Sequence, residues 1–198
     1  MRLRYSLGNQ WAILLTAALG CLLLSQAYAG GLDQPPSPAD KVALRDFSKR
    51  VKSYVATQHV LTVEKQKPTT DIAELEKRRV ALRQALQQSR VSAKQGDIFT
   101  PAASRVFRKL LGETLEGSDG PKIKASLEHA EPTAPPTFSV NGLFPNANGQ
   151  PIQSVPATLL RNLPLLPKGL EYCLAGKTLA LRDSDANMVV DYLPNALP

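Results

Sequence analysis

The 198-residue sequence predicts an α+β fold: an N-terminal helical hairpin with a third helix, then a small antiparallel β-meander that includes a short helix. Three observations carry that expectation. Apolar residues recur at alternating steps of three and four between residues 44 and 115, as one face of a helix requires. The last third runs instead in short apolar stretches broken by Gly, Asn and Asp, and the Pro-rich 131–136 (EPTAPP) separates the two patterns.

In chain order, residues 1–29 read as a secretory signal peptide. Arg2 and Arg4 give a positive start, an apolar run follows from Trp11 to Leu24, and Ala27-Tyr28-Ala29 supplies small residues around a cleavage point between Ala29 and Gly30. The apolar run is shorter than the ~20 residues that span a bilayer, so the membrane is met only transiently, through the signal. A lipoprotein reading at Cys21 places the thiol inside the apolar run, against that assignment. Residues 30–37 (GGLDQPPS) have the composition of a disordered leader.

A helical region follows over 38–130. Ser37 is a candidate N-cap and Pro38 a candidate first helical residue, with Leu44, Phe47, Val51, Tyr54, Gln58 and Leu61 on one stripe. Pro68 breaks the pattern, and Thr69 or Thr70 can cap a second helix reaching residue 93, its apolar face carrying Ile72, Leu75, Leu82 and Leu86. Gln58 and Arg79 break the stripes, which predicts a hairpin packed on the rest of the chain in place of an extended coiled coil. Gly96 closes this unit; Thr100 and Pro101 open a third helix with Val106, Phe107, Leu110, Leu111 and Leu115 inward. A short fourth piece runs over 123–129. After the 131–136 linker comes a small α+β module, 137–198: a strand over 137–143, turn material over 145–151, a short helix over 156–163, and strands over 171–175, 178–182 and 188–193.

Composition narrows the chemistry. The two arginines and no acids of the signal take the formal charge from +7 to +5 in the mature chain. Export sets nucleic acid aside and leaves an anionic envelope component, or another exported protein, as the partner such a charge would meet. Cys173 is the one thiol outside the signal, so no internal disulfide forms, and its apolar neighbours predict a buried, inert side chain. His59 lies off the helical stripe, and His129 has Glu128 and Glu131 beside it but no ligand spacing, since adjacent helical side chains diverge.

The acidic turn over 183–187 (DSDAN) offers oxygens at alternate positions, like the opening of a calcium loop. Such a loop needs a glycine and a late glutamate, where this chain has Met188 and Pro194, so the stretch reads as a turn between strands. Carboxylate pairs for acid–base catalysis are available in Asp183, Asp185 and Asp191, or in Glu113 and Glu116. Phosphate-binding glycine motifs and paired-histidine zinc motifs do not occur, and no cofactor is expected.

Two stretches, GDIFTPAASRVFRKLL at 96–111 and LPKGLEYCLAGKTLALRDSDANMVVDYLPNALP at 166–198, resemble an uncharacterised family of exported bacterial proteins. That family has a similar Gly-Asp-x-x-Thr-Pro helix start and a C-terminal Asp-Ala-Asn β-meander. The resemblance implies export and a shared C-terminal module, and no activity. The expectation is therefore an exported, periplasmic or extracellular, non-enzymatic interaction or structural protein. The alternatives are a cell-envelope hydrolase using carboxylates and a metal-responsive periplasmic module.

Overall fold

The computed structural model describes residues 36–62, 68–128, 137–145 and 155–198. The stretch expected to be a signal peptide, with its expected cleavage point at Ala29/Gly30, most of the expected leader, the 131–136 stretch and His129 lie outside the described residues. The elements run α1 (Pro38–Thr62), α2 (Ile72–Ser89), α3 (Pro101–Glu116), α4 (Gly120–Glu128), α5 (Ala157–Leu160), β1 (Leu170–Ala175), β2 (Thr178–Asp183) and β3 (Met188–Leu193). The α+β class is the one the residue patterns predict.

Local chemistry starts each helix. Ser37 Oγ accepts from Asp40 N–H at 3.1 Å while Asp40 Oδ2 accepts from Ser37 N–H at 3.2 Å, a reciprocal cap that uses donors the first turn leaves unpaired. The cap of α2 is Asp71, which accepts from Ala73 N–H at 2.9 Å, and not Thr69 or Thr70. Thr69 instead accepts from Asp71 N–H and orients the capping residue. Thr100 caps α3 by accepting from Ala103 N–H, with Pro101 in the first helical position. Between α3 and α4, a Cβ at Gly120 would collide with the Leu115 carbonyl, so the tight corner admits only glycine.

The strands form one antiparallel sheet in the order β1-β2-β3. A two-residue turn joins β1 to β2, with Gly176 at φ +53° and Ala175 opposite Thr178. Between β2 and β3 the register slips: Leu181 faces Asp191 but Arg182 faces Val189, so Val190 is an extra, bulged residue. The bulge has a chemical consequence. It lets Val190 and Asp191 both turn toward the helices, whereas strict alternation would have sent one of them to the opposite face.

One core lies between helices and sheet. Phe47, Val51 and Tyr54 of α1, Leu86 of α2, Phe107 and Leu111 of α3, and Leu170, Leu174, Leu181, Met188, Val190 and Leu193 of the strands belong to it. The far face of the sheet is covered too: Phe138 and Phe144 pack on Cys173, Ala180 and Val189. The strand expected over 137–143 is reduced to a single bridge, Leu143 to Met188, because this segment bonds to β3 through irregular turns around Asn141. The ends of the two long helices differ most from the expected stripes. Ile72 is 82% exposed and Leu75 45%, and the periodic α2 pattern ends at Ser89 and not near residue 93.

Candidate functional site

Sequence reasoning singled out Asp183, Asp185 and Asp191, and the structure separates them. Asp185 is exposed, while Asp183 and Asp191 are fully buried and reach different elements.

Asp183 closes β2 against α1. Its Oδ2 accepts from Tyr54 Oη–H at 2.6 Å and Gln58 Nε2–H at 2.9 Å, and its Oδ1 accepts from Ala186 N–H at 2.8 Å. The last bond makes the acidic turn a side-chain-closed loop, and Asn187 completes it at φ +48°. Burial pushes the Asp183 carboxyl up from its ordinary range, and the hydrogen bonds from Tyr54 and Ala186 only partly offset this. Burial, with Asp183 beside it, likewise pushes the Tyr54 phenol up.

The sign of the pH effect follows. A carboxyl with a raised folded-state pKa binds its proton more tightly in the folded chain than in the unfolded chain. Its stabilising share is therefore complete below the ordinary carboxylate value of 3.8 and is lost as pH rises through the folded value. The wild-type protein should accordingly gain stability relative to Asp183→Asn as pH is lowered from neutral toward 3.8. Paired urea titrations at several pH values measure this; a difference that stays flat or shrinks in acid contradicts it.

Asp191 holds a loop. Its Oδ1 accepts from Gly96 N–H and Tyr192 N–H, and its Oδ2 from Ile98 N–H and Phe99 N–H, at 2.8–2.9 Å. Backbone donors converging on one carboxylate form a nest, here filled from within the molecule. The stretches 96–111 and 166–198 thus meet at this residue, since the loop before Thr100 is wrapped around Asp191 of β3.

Arg90 ties the same region together. Its guanidinium lies 4.9 Å from the Tyr54 ring centroid and donates to Asn141 Oδ1 at 2.7 Å and to the Val190 carbonyl at 3.1 Å. Asn141, at φ +61°, returns a bond from Nδ2 to the Arg90 carbonyl. Burial lowers the Arg90 pKa, as expected for a cation drawn out of water. Tyr54, Gln58, Arg90 and Asn141 were not legible as a set. The one available signal was Gln58, a polar residue on an apolar stripe, which calls for a buried acceptor.

The remaining candidates are dispersed. Glu113 and Glu116 are exposed on α3, with Glu113 3.9 Å from Lys109. His59 is exposed on α1. Cys173 is buried, and desolvation pushes its thiol up to about 12, which keeps it protonated and a poor nucleophile. Among the described residues, no group of three His, Cys, Asp or Glu is placed to hold a metal ion. No described helix is long and apolar enough to cross a membrane.

One outward-facing constellation stands apart from this closed network. Lys41, Arg45, Lys49 and Lys52 are all exposed on α1, spaced by four, four and three residues, and so share one face opposite the buried Ala43, Phe47, Val51 and Tyr54. Both acids of α1 are engaged elsewhere. Asp40 lies 3.4 Å from Lys109, and Asp46 2.8 Å from Arg50. The four cations therefore have no salt-bridge partner among the described residues, over about 16 Å of helix.

No family model, curated protein or solved structure matches the chain.

Proposed function

We propose that this is an exported, non-enzymatic interaction protein that binds an anionic component of the cell envelope through the outer face of α1. The observation that carries the reading is the row Lys41, Arg45, Lys49 and Lys52, without acidic partners among the described residues, on a helix whose opposite face is locked into the core. Rigid presentation matters here. Cations held on one side of a packed helix lose little orientational freedom on binding, so more of their attraction appears as affinity. Of the candidate carboxylates, the two buried ones are engaged in structure, Asp183 with α1 and Asp191 with the loop before α3, and Asp185, Glu113 and Glu116 are dispersed on the surface. Their engagement supports a reading in which the surface, and not an interior site, carries the function.

Near an anionic lipid surface each Lys or Arg contributes about 1 kcal/mol, so four act together as roughly a thousandfold in affinity at low salt. The test is co-sedimentation with vesicles containing anionic phospholipid and, separately, with a purified anionic wall polymer. Wild-type protein should bind at low salt and release at high salt, and the variant carrying Lys41→Glu, Arg45→Glu, Lys49→Glu and Lys52→Glu should not bind. Binding that survives the four substitutions, or no binding to either probe at low salt, sinks the proposal. The arm that responds identifies the source of the anionic charge.

A further inference from the structure

The two edges of the sheet are treated differently. The outer edge of β3 is shut: Asn141 N–H donates to the Val189 carbonyl, Val189 N–H to the Gly142 carbonyl and Phe144 N–H to the Asn187 carbonyl. Arg90 and Gln95 occupy the Val190 and Tyr192 carbonyls. Among the described residues, none covers the outer edge of β1 in this way. In a two-residue hairpin the flanking pair Ala175 and Thr178 is hydrogen-bonded, so by alternation Cys173 and Glu171 also bond to β2. Tyr172 and Leu174 then direct N–H and C=O away from the sheet, and none of these four groups has a partner among the described residues.

A cleft of about 570 Å³ lies on this edge. Its lining includes Tyr172, which packs on the helical side of the sheet, and Cys173, which packs on the far side. A cleft touched by residues of both faces of β1 lies at the strand's outer margin over Leu170 to Cys173, where no described residue pairs with the Tyr172 backbone. Its outer wall is apolar, with Leu160, Leu163 and Leu166, and Leu165 stands at the rim 98% exposed. Among the described lining residues the only charged one, Glu171, is held by Arg182 Nη1 at 2.7 Å. Open sheet edges are normally blunted by an inward lysine, a proline or a bulge, and β1 (LEYCLA) contains none of these.

We infer that β1 accepts an extended peptide segment of a partner protein as a fourth strand, with apolar side chains at alternate positions seated in the cleft and an acidic residue at each end. The acidic ends follow from Lys168 and Lys177, exposed at the two ends of the strand and without acidic partners among the described residues. The same lysines disfavour a second copy. Antiparallel pairing of two β1 edges about Cys173 would set Lys168 of one chain beside Lys177 of the other. Main-chain bonds to Tyr172 and Leu174 supply the affinity and the cleft supplies the selectivity, the usual division in strand addition. The surface is separate from the α1 face and stands whether or not that face binds anions.

The test uses a short synthetic peptide of alternating valine and threonine with an aspartate at each end. Its binding should slow hydrogen exchange at the Tyr172 and Leu174 amides. Lys168→Glu with Lys177→Glu should weaken it about tenfold, and exchanging the peptide's aspartates for lysines should restore the loss. Three outcomes overturn the inference: no slowing at these two amides at saturating peptide, slow exchange already present in the free monomer, or slowing that tracks protein concentration alone. The second assigns the edge to the chain's own residues and the third to a second copy.

Discussion

Replacing Asp191 with asparagine is expected to destabilise the protein by about 4 kcal/mol, although the two side chains have nearly the same shape. The reason is the number of donors. Both carboxylate oxygens accept from two backbone N–H groups each, and Asp191 is fully buried. An asparagine must place its NH2 group where one oxygen was, opposing two N–H donors that have nowhere else to turn. Alanine removes the clash but leaves all four donors unpaired, each costing on the order of 1 kcal/mol or more. The two variants should therefore be similarly destabilised, which is unusual for an isosteric change and a truncation. Urea unfolding with an unchanged slope, or a melting temperature lower by roughly 10 °C, reads the effect. An asparagine variant within about 1 kcal/mol of wild type would mean that Asp191 is not the centre of a filled nest.

That result bears on how the C-terminal stretch is understood. As sequence, 183–187 looked like the start of a metal loop because Asp183, Asp185 and Asn187 alternate. In the folded chain each does something different: Asp183 bonds to α1, Asp185 faces solvent near Gly169, and Asn187 supplies a positive φ and accepts from Arg182. Position-by-position comparison with a calcium loop was enough to reject that motif, because the required glycine and glutamate are local features. What the sequence could not show is that Asp183 and Asp191 are interior groups. Burial of a carboxylate depends on partners more than ninety residues away, and the spacing of residues along a strand carries no information about them.

The helices were legible for a related reason. Caps, prolines and three-four periodicity are encoded within a few residues, so Ser37, Thr100 and the inward faces of α1 and α3 could be read directly. The periodic signal failed where a helix runs past its support. Ile72 and Leu75 obey the α2 pattern but are largely exposed, since periodicity states which face a residue is on and not whether another element covers it. The bulge at Val190 lay below the resolution of pattern reading altogether. A one-residue slip changes no residue type, yet it sends Asp191 toward the 96–99 loop and so fixes the entrance to α3. The basic row on α1 was not singled out in the sequence. Asp46 and Arg50 have the i, i+4 spacing of a helical pair, but that Asp40 turns to Lys109 on α3 required coordinates.

The other large effect is expected at Phe107. Its ring is fully buried and meets Phe47 at 4.8 Å, Phe99 at 5.1 Å and Tyr172 at 6.0 Å between centroids, so it joins α1, the loop before α3 and β1. Truncation to alanine removes the apolar burial and leaves a cavity among three rings, for a loss of about 4 kcal/mol, while leucine should cost about 1–2 kcal/mol because most of the volume is retained. Chemical denaturation of the two variants measures both values, and near-equal losses would show that the site collapses around alanine. The position of Phe107 makes a finer expectation as well. Tyr172 rests on it from β1, whereas Lys41, Arg45, Lys49 and Lys52 lie on the side of α1 turned away from Phe47. Under conditions where Phe107→Ala is still folded, peptide addition at the β1 edge should weaken while attachment to an anionic surface is unchanged. A parallel loss of both would mean that the two faces report only global stability, and the separation of surfaces argued from the fold would fail.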